Sequence, residues 1–425
     1  MDRNWRPLLA GSLADQALRT VREIADALPF PEENVYGRQA SLAGGTAGQA
    51  LFYAYLALHT SEEEAAERAV ERLDRAAEDL ANTPMAPSFY SGFPGVAWVM
   101  EHLQGRLFED GAEGEDPLQE IDEALLAPLG HSPWMGEYDL IGGLVGLGVY
   151  ALERLPRPTG VALLERAVDR LAETAEAGEE GAAWFTPPER LPEWQREIHS
   201  RGVYNLGVAH GLPGVVPLLA GACAAGVAVE RARPLLDDAV RWLLARRLEP
   251  GMGSCYDTSY APWEPPSSSR LAWCYGDPGI AAALLAAARA VGELGWEREA
   301  MEVGLAAAAR PESTSLIRDA GLCHGAAGLG HLFNRMYQTT GEERLGEAAR
   351  FWFERALGLR AAGEGIAGFR AWELTPDREM GWRADAGFLE GAAGIGLALL
   401  GAVSPVEPAW DRVLMLSLRP VPEGR

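Results

Sequence analysis

The sequence predicts an all-α fold, an α/α toroid in which wholly apolar helices form an inner ring and amphipathic helices an outer one. Three observations predict it. The 425-residue chain carries 49 glycines, well above the usual share of about 7%, and a Gly-x-x-Gly step recurs seven times without a collagen-like period. Each step opens an apolar or small-residue run, and the stretches between steps are long enough for two helices. The runs after the steps are apolar on every side, whereas those between them have one polar face, so one class is buried and the other half exposed.

The seven steps are Ala43-Gly-Gly-Thr-Ala-Gly48, Tyr90-Ser-Gly-Phe-Pro-Gly95, Ile141-Gly-Gly-Leu-Val-Gly146, Ala209-His-Gly-Leu-Pro-Gly214, Cys274-Tyr-Gly-Asp-Pro-Gly279, Cys323-His-Gly-Ala-Ala-Gly328 and Leu389-Glu-Gly-Ala-Ala-Gly394. Their first repeat glycines, Gly45, Gly92, Gly143, Gly211, Gly276, Gly325 and Gly391, are spaced 47, 51, 68, 65, 49 and 66 residues apart. Among the amphipathic helices, Ser61 to Ala81 places Val70, Leu73, Ala77 and Leu80 on one stripe, with Ser61 and Glu64 as a capping box and Asn82 and Pro84 as its stop. Thr159 to Ala177 repeats the pattern through Val161, Leu164, Val168 and Leu171, and Gly178 is expected to end it. Gly279 to Ala288, built only of Ala, Leu, Ile and Gly, typifies the buried class. Neither terminal repeat has the polar outer face that caps an open solenoid, which favours closure. Residues 1–425 are therefore read as one domain. The long steps contain inserts at about 181–203, 249–273 and 363–387, rich in Trp, Pro and Tyr, which are expected to form loops or short hairpins at the mouth.

The formal charge is −24, from 61 acidic against 37 basic residues, and every one of those bases is arginine. A nucleic acid would be repelled by most of such a surface. Charges break up Met1 to Arg22, so no secretory signal is read there and a cytoplasmic protein is expected. The uncharged stretch from Gly202 to Val229 has the length of a membrane span, but its glycines, Pro213 and Pro217 favour a buried helix. Four cysteines are too few for a disulfide framework in a chain of this size.

In a ring of repeats, positions just before each repeat glycine fall on one rim. One residue before it stand Gly44, Ser91, Gly142, His210, Tyr275, His324 and Glu390, and two before it Ala43, Tyr90, Ile141, Ala209, Cys274, Cys323 and Leu389. Two of four cysteines and two of seven histidines therefore share one layer. Cys274, Cys323 and His324 make a donor set suited to Zn²⁺ with one site left open, provided that the adjacent Cys323 and His324 precede a helix rather than lie within it. The alternative is two buried thiols and a hydrogen-bonded core histidine. His210 is the natural acid–base group of the same rim, or else a histidine bonded to backbone. Asp139 is a partner for it or an N-cap, Arg270 an anion holder or a surface ion-pair former, and Tyr275 a hydroxyl beside the metal layer or packing. His331 lies two turns beyond His324, too far along the helix for the same ion. Cys223 and Cys255 fall outside the layer and read as structural.

Tyr138-Asp-Leu-Ile-Gly-Gly-Leu-Val-Gly146, Asn205-Leu-Gly-Val-Ala-His-Gly211, Ser269-Arg-Leu-Ala-Trp-Cys-Tyr-Gly-Asp-Pro-Gly279, Cys323-His-Gly325 and Leu389-Glu-Gly391 together resemble the lanthionine synthetase C-like family over essentially the whole chain, specifically the stand-alone lanthipeptide cyclases. The resemblance implies a double ring of seven inner and seven outer helices. It implies one catalytic Zn²⁺ on Cys274, Cys323 and His324, His210 as acid or base, and Asp139, Arg270 and Tyr275 around the reacting groups. The implied reaction adds a peptide cysteine to dehydroalanine or dehydrobutyrine, giving a lanthionine or methyllanthionine ring in antibiotic biosynthesis. Its implied partners are a dehydrated precursor peptide, a dehydratase and an exporter, with no transmembrane segment of its own but peripheral association with a membrane-bound complex allowed. Competing readings are a family member that adds glutathione, a zinc-stabilised scaffold without catalysis, and an α/α-barrel glycosidase using Asp139 and Glu390.

Overall fold

A computed structural model describes residues 5–30, 38–107, 116–374 and 379–419. Asp2 and Arg3 of the N-terminal stretch, and residues 375–378 of the third insert, lie outside them. The chain divides into two compact units, Met1–Pro117 with Ala308–Asp411, and Leu118–Ala307 with Arg412–Arg425.

All seven repeat glycines are the N-cap residues of helices: Thr46–Thr60, Phe93–Leu103, Leu144–Glu153, Leu212–Ala224, Asp277–Val291, Ala326–Thr340 and Ala392–Val403. These are the buried class, as expected. The second glycine of the step is required by a close approach rather than by a left-handed backbone. A Cβ on Gly394 would sit 1.8 Å from the Phe388 carbonyl oxygen, and one on Gly328 2.0 Å from that of Leu322. The same carbonyl, six residues upstream, lies against Gly48, Gly95, Gly214 and Gly279. The chain entering each helix thus folds back over its first turn, and only hydrogen fits between.

In the first unit, Ala392–Val403 packs between Thr46–Thr60 and Ala326–Thr340, so the last repeat adjoins the first. Glu63–Asn82 covers Thr46–Thr60 and Glu343–Gly358 covers Ala326–Thr340, while the N-terminal helix Gly11–Ala27 covers Ala392–Val403. That arrangement explains the lack of polar caps: the chain start supplies the amphipathic cover for the chain end. His331 is a core histidine, its Nε2 2.9 Å from Asp411 and its ring 4.6 Å from that of Trp410. In the second unit, Leu212–Ala224 packs against Leu144–Glu153 and Asp277–Val291, with Pro158–Thr174 and Val229–Leu244 outside. Buried Asp122 binds Arg154 at 2.7 Å and the Tyr150 hydroxyl at 2.6 Å, fastening the helix Gln119–Leu129 to Leu144–Glu153.

Three local expectations are corrected. Ser61 is not half of a capping box: it has a left-handed backbone at φ 59° and ends the preceding helix, and the next begins at Glu63. The buried stripe of that helix runs through Ala65, Ala69, Leu73 and Ala76, leaving Val70, Ala77 and Leu80 half-buried, because small residues allow closer helix approach than the larger ones beside them. The helix from Pro158 ends at Thr174, before Gly178, since Glu176–Gly178 pairs as a strand with Gly181–Ala183. The uncharged run at 202–229 holds a strand and a 13-residue buried helix, and no helix among the described residues is long and apolar enough to cross a membrane.

The inserts form short strands. Phe185–Thr186, Val203–Asn205 and Ser259–Tyr260 make one antiparallel sheet that joins the first insert to the second, and Ala371–Leu374 pairs with Met380–Arg383. The sheet ends at Asn205, at the threshold of the fourth repeat turn.

Candidate active site

The turns before the buried helices are joined backbone to backbone. In the second unit, Leu140 N–H donates to the Ala209 carbonyl at 3.2 Å and Ala209 N–H to that of Cys274 at 3.4 Å. In the first unit, Cys323 N–H reaches Leu389, Leu389 N–H reaches Ala43, and Ala43 N–H reaches Tyr90, at 2.9, 3.1 and 2.9 Å. This stitching sets a register. The residue four before one repeat glycine lies against the residues just before the next: Gly207 against Cys274 and Tyr275, Gly321 against Glu390, and Gly387 against Gly44. Glycine is the residue at that place in these three repeats. The third repeat has Asp139 there instead, and its carboxylate meets His210.

His210 Nδ1 lies 2.5 Å from Asp139 Oδ2. An ionised carboxylate only accepts, so Nδ1 carries the proton and donates, leaving Nε2 for a reacting group. The His210 side chain is 44% exposed and that of Asp139 11%, which lets a substrate reach the imidazole but not the acid behind it. Asp139 Oδ1 also accepts from Gly142 N–H at 2.9 Å, so the turn-capping role and the histidine partnership are held at once by its two oxygens. Burial disfavours the His210 cation, but the Asp139 hydrogen bond and the charges of Asp139, Cys274 and Glu137 outweigh it and raise the pKa above the ordinary histidine value. Asp139→Asn should therefore lower the His210 midpoint, because burial then acts with less opposition. Imidazole NMR titration checks this, and an unmoved or raised midpoint would contradict it.

Tyr275 stacks beside His210, ring centroids 6.1 Å apart at 25°. Burial first, then the Cys274 and Asp139 charges, push its phenol up to about 12 against the opposing hydrogen bonds of Asn205 and Gln195. Arg270, half-buried six residues before Gly276, makes no ion pair or side-chain hydrogen bond among the described residues. Cys274 is 7% exposed and begins the turn into Asp277–Val291.

In the first unit Cys323, 8% exposed, and His324 precede the helix that starts at Ala326, which is the condition that two adjacent ligands require. His324 Nε2 lies 3.4 Å from Glu390 Oε2, and Asp319, His324 and Glu390 bring one donor atom each within 4.8 Å of one another. Asp319 is itself fixed by the N–H groups of Gly321 at 3.1 Å and Trp372 at 2.9 Å. All four cysteines are thiols. Each of the two nearly buried sulfurs stands two residues before the N-cap of a helix whose dipole favours thiolate, and thiolate and imidazole are donor types that suit zinc. Sequence reasoning missed Asn205, Glu137 and Asp319. All three stand six before a repeat glycine, and that shared offset is the signal that would have found them.

The sequence matches the lanthionine synthetase C-like protein family over residues 38–415, and the chain belongs to that family. Among solved structures it is similar to nisin cyclase, with a TM-score of 0.73 and 19% identity over 95% of this chain and 97% of that one. The likeness shows a common, mostly helical fold. A sugar epimerase from a ruminal bacterium and a cellobiose 2-epimerase from Bacillus thermoamylovorans B4167 match at TM-scores of 0.49 and 0.47, each at 11% identity. They cover 92% and 91% of this chain, and 98% and 97% of their own.

Proposed function

We propose that this protein is a zinc-dependent lanthipeptide cyclase, adding cysteine thiols of a dehydrated peptide to its dehydroalanine or dehydrobutyrine residues. The observation that carries the reading is the Asp139–His210 pair beside the Cys274 turn, an acid–base group with a carboxylate partner on Nδ1 and a half-exposed imidazole. Cys274, Cys323 and His324 would hold the zinc, which when bound supplies acidity to a substrate thiol and keeps it as thiolate at neutral pH.

The residues divide the remaining work. The thiol sulfur attacks the alkene β-carbon, forming the C–S bond while the π electrons move toward the amide oxygen. Arg270 offers a positive charge to that developing enolate. His210, held as a cation by Asp139, delivers a proton to the α-carbon, and the proton lost by the thiol balances the sum, so the product has the mass of the reactant. Family membership, the donor set and the half-exposed His210 imidazole support this assignment. On this reading the substrate is a dehydrated peptide, and the protein works in the cytoplasm alongside a dehydratase and an exporter of the same pathway.

The test is direct. Dehydrated precursor peptide incubated with the zinc-loaded protein should lose one titratable thiol per ring with no change in mass. Glutathione adducts would identify a thiol-adding enzyme instead, and unchanged thiols would reject catalysis.

A further inference from the structure

Asn205 is 6% exposed at the end of the insert sheet, six residues before Gly211. Its Oδ1 accepts the Gly207 N–H at 3.0 Å. Asp319 and Asp385, at the same offset in the sixth and seventh repeats, accept the N–H of Gly321 and Gly387 at 3.1 and 2.7 Å. A carboxylate therefore satisfies this turn as well as an amide does. What Asn205 has in addition is a donor. With Oδ1 committed to the backbone, its Nδ2 must face the Tyr275 hydroxyl, 3.1 Å away. A phenol oxygen that accepts from this amide directs its own O–H elsewhere.

We propose that Asn205 is a positioning residue that turns the Tyr275 hydroxyl into an outward hydrogen-bond donor for the enolate oxygen, a second stabiliser beside Arg270. An aspartate at 205 would keep the turn but draw the phenol proton onto itself, because a carboxylate only accepts. Tyr275 would then present lone pairs, and repulsion, to the developing negative charge. The inference rests on the cyclase reading, and Tyr275 donates a hydrogen bond without giving up its proton.

The experiment compares N205D, Y275F and the double variant in the zinc-loaded full-length protein. N205D should keep its zinc and helical circular dichroism while ring closure slows about 10²-fold, the scale of losing one oxyanion donor. Y275F should match it, and the double variant should be no slower than Y275F. Ring closure by N205D at the parent rate, or losses that multiply in the double variant, would overturn the proposal. In protein labelled with 3-fluorotyrosine, the ¹⁹F resonance that Y275F removes should shift in N205D, and an unshifted signal would refute the contact. If the parent itself closes no rings, the cyclase reading fails and that resonance alone decides whether Asn205 orients Tyr275. Should N205D not fold, N205S, which removes the amide donor to Tyr275, takes its place: slowed closure supports the proposal and parental closure overturns it.

Discussion

Cys274→Ala is expected to release the metal and abolish ring formation, the largest single effect foreseen for this protein. With the three protein ligands proposed, removing one thiolate would leave two donors and two coordination sites open to water. The loss should exceed the 10–100-fold typical of disturbing an outer-shell partner. The fold should survive, because the residue contributes little beyond its sulfur: it is a turn residue whose backbone carbonyl receives the Ala209 N–H, and alanine keeps that bond. Elemental analysis after dialysis against a weak chelator measures the outcome. A full equivalent of zinc retained by the variant would show that the ligands are misassigned, whatever its activity.

His210→Ala should separate chemistry from metal binding. The imidazole is 44% exposed and its contacts are with Asp139 and Tyr275, so its removal leaves the Gly211 N-cap and the buried helix behind it intact. Zinc content and melting temperature should hold, while turnover falls by about 10²–10⁴, the range of a lost general acid–base group. The pH profile adds a sign. As the proposed proton donor, with a pKa raised by Asp139, His210 should contribute fully at low pH and less as pH rises through that midpoint. A variant that closes rings at the parent rate would exclude His210 as the donor.

How much of this was legible depends on how far apart the interacting residues lie in the chain. The seven helix starts were readable because the glycine and the carbonyl it must clear are six residues apart, a local event written in one short motif. Cys323 and His324 were readable as turn residues for the same reason. Ser61 was misread because two conformations suit a serine before a glutamate, and the preceding helix decided between them. The burial of Ala65, Ala69 and Ala76 in place of Val70 and Leu80 followed from how closely two helices pack, a quantity absent from a hydrophobic pattern.

The amino-acid order by itself determined the repeat, the two helix classes, the donor set and the family, all properties of residue type and spacing. Only the tertiary structure decided that Asp139 and His210, 71 residues apart, are hydrogen-bonded, and that Asn205 holds Tyr275 from 70 residues away. The reason is physical: those pairs depend on the register between successive turns, which is set by backbone hydrogen bonds from one turn to the next and by glycines that let the chains touch.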